Sequence, residues 1–136
     1  MITHAFTDQA KQDFQAGLHQ PGDQYMIALY TSSANLDKTT TAYTSAGEVV
    51  GSGYTAGGMA LSGYAAGLSG DSAYLSWNNP VWTMATFTAR GALIYNATRS
   101  NNAIAVINFG SDFAVSAANF TVQLPPAGAS AMVVIN

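Results

Sequence analysis

No cysteine occurs among the 136 residues of this chain, which excludes a disulfide framework and any metal centre built on thiolates. Charge is nearly as scarce: 8% of the residues are charged, where an average soluble chain carries about 25%. The four basic side chains, Lys11, Lys38, Arg90 and Arg99, are scattered, and the net charge is −3. Nucleic-acid binding needs a basic stripe, so that class is set aside. No apolar run approaches the ~20 residues of a membrane-spanning helix. The start, "MITHAFTDQAKQ", has neither the basic segment nor the apolar segment of a secretory signal. Histidine occurs twice, at His4 and His19, too far apart for a helical zinc motif.

The missing charge is replaced by alanine, glycine, serine, threonine and asparagine, while the apolar fraction stays at 49%. A surface wetted by hydroxyls and amides suits a protein that packs against other subunits, because interface cores are depleted in charge. The length suits one domain over residues 1–136 with a core of its own.

Helical periodicity occurs once. Thr7 can cap, Asp8 favours the positive end of a helix, and Ala10, Phe14 and Leu18 form an apolar stripe that Pro21-Gly22 ends. The spacing predicts a helix over 7–20, preceded by an arm at 1–6. From Gln24 the period becomes two. In "QYMIALYTS", Tyr25, Ile27 and Leu29 share one face and Met26, Ala28 and Tyr30 the other, so this strand is expected to be covered on both sides. "AYTSAGEVV", "GGMALSGY", "SAYLSW", "TFTARGALIYN", "AIAVINFG", "NFTVQLPP" and "SAMVVIN" follow, most of them set off by turn residues, with "NATRSNN" as a hairpin turn. About eight short strands over 24–136 predict an all-β, jelly-roll-like sandwich with one short N-terminal helix.

The chemical motifs dissolve on inspection. Gly51-Ser52-Gly53-Tyr54-Thr55-Ala56 matches a loose dinucleotide fingerprint, with Asp71 at a ribose-binding distance, but Gly57-Gly58 and an alternating segment follow where a helix is required. The stretch reads as a loop and a bulged strand, with Tyr54 as a packing anchor between close backbones. Ser69 follows Gly67, yet Asp71 stands where a nucleophile elbow needs glycine. The seven carboxylates form no acid–base or calcium motif. Asn96 and Asn119 fit the glycosylation pattern, as chance matches in a chain rich in Asn and Thr. No enzyme activity and no cofactor is expected. Trp77, Trp82 and Phe87 read as core, with a sugar-binding face as the alternative. Arg90 interrupts an apolar strand, as an outward-facing residue or as a subunit contact.

The ordered blocks "IALYTSSANL", "TTAYTSAGEVVGSGYTAGG" and "WTMATFTARGALIYN" resemble, over nearly the whole chain, a family of small virion structural proteins of tailed bacteriophages. The resemblance implies a capsid cementing, or decoration, protein with a jelly-roll fold. It would assemble in the host cytoplasm and lie on the capsid exterior. Its partners would be the major capsid protein and copies of itself, as a dimer or trimer. A tail or neck protein and a carbohydrate-binding module are the alternatives. The resemblance carries over no site residues. From the chain itself, Ile2, Phe6, Tyr54 and Arg90 are the candidate subunit-interface residues, and Ile2 and Phe6 on their arm are expected to bury against a neighbour.

Overall fold

A computed structural model describes residues 1–69, 72–124 and 133–135. The order is β1 (Ala5–Phe6), α1 (Asp8–Gln15), β2 (Tyr25–Tyr30), β3 (Met59–Ala60), β4 (Ala65–Ser69), β5 (Ser72–Ser76), β6 (Val81–Asn96), β7 (Asn102–Thr121) and β8 (Val133–Ile135). They form an antiparallel five-stranded sheet, ordered β1-β7-β6-β2-β3, and a three-stranded sheet, ordered β4-β5-β8. This is a mostly β domain with one short helix. Among the described residues no helix is long and apolar enough to cross a membrane.

α1 begins where the sequence places it: the Thr7 side chain accepts a hydrogen bond from the Ala10 amide. It stops at Gln15, earlier than Pro21 would require. Gly17, at φ +71°, donates its amide to Phe14, and the next amide, Leu18, reaches back to Asp13. A glycine in the left-handed region closes the last carbonyls in this way.

The strand β2 is buried on both faces, as its two apolar sets demand. Tyr25, Ile27 and Leu29 join a large core with Trp77, Trp82, Phe87, Ile94 and Ile104, while Ala28 and Tyr30 join a second core with Ile2, Leu36, Leu93, Tyr95 and Val106. The smaller sheet meets the large core through aromatics: the rings of Tyr64, just before β4, and Trp77, just after β5, lie 5.2 and 5.5 Å from Tyr25. Trp77 and Trp82 are 5% and 3% exposed, so neither lines a sugar-binding face.

Three expectations are corrected. Residues 1–6 are no free arm. β1 pairs with β7, Ile2 bridges to Leu36, and Ile2 is 4% exposed in the chain's own second core. It seats over Gly91, where a Cβ would lie 2.9 Å from its Cδ1. "AYTSAGEVV" is no strand; its backbone pairs with the strands at isolated bridges, at Ala42 and Glu48. "AIAVINFG" and the start of "NFTVQLPP", expected as separate strands, belong to one 20-residue strand, β7, hairpinned onto β6 around residues 97–101. The turn expected at Pro125, Pro126 and Gly128 lies outside the described residues.

Candidate interaction surface

The Gly-rich stretch turns out to be a strap. Gly58 has φ +83°, and a Cβ there would lie 1.8 Å from the Ile27 carbonyl oxygen, so only glycine lets the strap cross β2. One buried carboxylate organises it. Glu48 accepts hydrogen bonds from the Tyr43 hydroxyl at 2.6 Å, the Tyr54 hydroxyl and the Gly57 amide at 2.8 Å. The Tyr54 hydroxyl in turn accepts the Leu29 amide at 2.9 Å, and the Tyr95 hydroxyl donates to the Gly57 carbonyl at 2.6 Å. Burial, reinforced by the Glu48 carboxylate, pushes the Tyr43 hydroxyl up to about 12 and Tyr54 higher still. These tyrosines stay protonated donors; their arrangement is structural and presents no nucleophile. The glycine pattern marked the strap, but nothing in the sequence singled out Glu48 among seven carboxylates.

The four candidate interface residues divide. Tyr54 is the anchor expected of it, its ring 6.2 Å from Trp82 and 5.9 Å from Phe87. Phe6 is half-buried, its ring 5.9 Å from Phe14 of α1. Ile2 and Arg90 meet at a cavity of about 630 Å³, whose rim adds Thr3, His4, Ser32 and Asn108. Arg90 is partly exposed and donates to Asp112 at 3.2 Å across the hairpin. Asn96, in one glycosylation match, is fully buried.

The sequence reading missed the outer half of the β6–β7 hairpin. On β6, Trp82, Ala85, Phe87 and Ala89 point into the core and their neighbours point out. The facing part of β7, from Asn108 to Thr121, has no strand partner except β6 among the described residues. An open edge of this length is a pairing hazard unless bulges or twists blunt it. Both devices are present: the register shifts between Trp82 and Ala85 and between Ala85 and Phe87, and Gly110, Ala117 and Met84 all have positive φ. Met84 at φ 48° and Ala117 at φ 46° are non-glycine residues in a sparsely populated region, which costs about 1–3 kcal/mol each.

This half of the hairpin leaves Met84 70% exposed and Phe113 49% exposed. Phe113 stands opposite Ala89 and extends the core's aromatic ladder outward, its ring 6.2 Å from Phe109, which lies 6.2 Å from Phe120. Ile107, Phe109, Phe113, Phe120 and Val122 line an apolar groove of about 390 Å³ along that edge. Among the described residues no group of three or more histidine, aspartate or glutamate side chains converges as a metal site. The arrangement offers hydrophobic contact and one accessible guanidinium–carboxylate pair.

Comparison with known protein families, with characterised proteins and with solved structures finds no match for this chain.

Proposed function

We propose that this chain is a structural component of a tailed-bacteriophage particle, a cementing protein that lies on the outside of the head and bridges neighbouring major capsid proteins as a dimer or trimer. The observation that carries the reading is the outer half of the β6–β7 hairpin, which presents Phe113 and the groove beside it, with Met84 exposed on the same hairpin, in a chain of which only 8% of the residues are charged. Isolated exposed apolar residues are ordinary, whereas an apolar groove continuous with an exposed aromatic is a contact surface. The assignment to a phage head rests on the resemblance of the ordered sequence blocks, and a jelly-roll closure of the two sheets belongs to the same proposal. The protein acts by binding, without a reaction.

The role suits the physics. A shell under internal pressure fails at the seams between capsomers, and a clamp across a seam adds buried area there. Many symmetric copies make modest affinity per contact sufficient. A contact made chiefly by apolar side chains also keeps attachment weakly dependent on salt, since screening acts on exposed charges.

The test uses heads stripped of this protein and supplied with purified wild type, Phe113→Ser or Arg90→Ala. Phe113→Ser should lower the copies retained by at least about tenfold, because a buried phenylalanine contributes roughly 1.5–3 kcal/mol. Both variants should unfold at the wild-type temperature. Full retention of both variants removes this surface from the role.

A further inference from the structure

Beneath α1 the chain buries a histidine between the Asp13 carboxylate and the Asn96 amide. The His19 side chain is shielded from solvent, with Nε2 3.3 Å from Asp13 Oδ2 and Nδ1 2.9 Å from Asn96 Nδ2. The Asn96 amide is fixed by its other partners. Its Oδ1 accepts the Thr98 amide at 3.0 Å, and its Nδ2 also donates to Asp23 Oδ2 at 2.9 Å. Turned over, it would set its oxygen against the Asp23 carboxylate and its NH₂ against the Thr98 N–H. Nδ2 therefore donates to His19, and Nδ1 must hold a lone pair. The imidazole is neutral, with its single proton on Nε2, on the side of Asp13.

Three parts of the chain meet through this ring. From α1, Asp13 accepts Gln9 at 2.9 Å and Asn102, at the start of β7, also at 2.9 Å. From the segment before β2, Asp23 takes the Arg99 guanidinium on both oxygens, at 2.9 and 3.1 Å. From β2, the Tyr25 ring lies 6.4 Å away, and Phe14 of α1 covers the imidazole at 4.9 Å. Lys11 and Asp8 pair with each other on the exposed side of the helix. The charged and titratable groups facing His19 are thus Asp13, Asp23, Arg99 and Tyr25.

We propose that this cluster is an acid-operated clasp. A proton taken up from solvent at Nδ1 of His19 sets an N–H against the Asn96 amide, breaks that hydrogen bond, and frees α1 and residues 16–24 from the β6–β7 turn. Burial opposes the charged ring more strongly than Asp13 and Asp23 favour it, so the folded chain holds His19 below its usual range. The sign follows. The unfolded chain takes up this proton first, so the stabilisation is complete above about pH 6.5 and is lost as the pH falls from there toward the folded value.

Amide hydrogen exchange tests the clasp on the intact chain at about pH 7.5 and pH 5, with rates corrected for intrinsic exchange. Protection of the α1 amides should fall about tenfold or more relative to those of Leu93 and Ile94 in β6. In His19→Gln, which does not titrate, that ratio should stay constant. Imidazole ¹⁵N spectra of wild type at neutral pH should place the proton on Nε2. If His19→Gln fails to fold, the midpoint of ring titration in wild type should coincide with the loss of α1 protection. An unchanged ratio in wild type, an equal fall in His19→Gln, a proton on Nδ1 at neutral pH, or separate midpoints would each overturn the proposal.

Discussion

Gly58 carries the sharpest constraint at the scale of single residues. Its φ of +83° is unfavourable to any side chain, and a methyl group there would lie 1.8 Å from the Ile27 oxygen. Gly58→Ala should therefore cost at least ~2 kcal/mol, read as a lower urea midpoint. Gly22→Ala, where a Cβ meets nothing within 4 Å, should be close to neutral. Glu48 is the second such position. Its carboxylate receives two tyrosine hydroxyls and an amide, and hydrogen bonds to a charged acceptor are the stronger kind. Glu48→Gln puts a donor among donors and should destabilise the fold by about 1–3 kcal/mol in chemical denaturation. Asp23 adds a separate acid response. The Arg99 guanidinium, helped by Asn96 and the Gln20 amide, holds its carboxyl down at about 2 against the opposing effect of burial. A depressed carboxyl stabilises the fold above its unfolded value near 4 and loses that contribution as the pH falls toward about 2. Arg99→Gln should move the acid-unfolding midpoint, followed by circular dichroism, to higher pH.

At the scale of elements, the parts legible in the sequence are those whose own pattern decides them. Thr7 and Asp8 start the helix, and the doubled apolar set of "YMIALY" makes β2 a strand covered on both faces. The end of α1 is written in Gly17, whose left-handed backbone closes the helix four residues before Pro21. β7 was not legible between Ser111 and Ala118. "SDFAVSAA" is mostly exposed and shows no alternation, and it becomes a strand because β6 supplies the hydrogen-bond partners. "AYTSAGEVV" failed in the opposite sense. Its composition suits a strand, but Glu48 turns inward to gather hydroxyls and the segment leaves the ladder. Ile2 and Phe6 looked unpartnered because their partners lie in β6, β7 and α1, far away in sequence. The consequence is measurable. Ile2→Ala should cost ~2–4 kcal/mol, and removing residues 1–6 should lower the melting temperature of the isolated protomer. An unchanged melting temperature after that deletion would contradict the placement of Ile2 in the second core.

For the whole molecule, the shortage of charge was visible from composition alone, and it is what pointed to a protein that packs against other subunits. Which surface makes the contact was not visible. Phe113 and the groove beside it become a candidate patch only once β6 and β7 extend together past the core, and Met84 is turned outward at a register shift between the two strands. Arg90, singled out for interrupting an apolar strand, sits at a cavity rim with Asp112 as its partner. The pair is exposed, and such pairs contribute roughly 0–1 kcal/mol to a fold. The central claim, attachment to the head of a phage particle, is tested most directly by imaging intact particles and counting this chain in them by quantitative mass spectrometry. Density for this domain is expected on the outer surface of the head, at the junctions between capsomers, with copies numbering on the order of hundreds, as symmetric repetition across a shell requires. A few tens of copies confined to the neck or tail, or no copies in the particle, would contradict it.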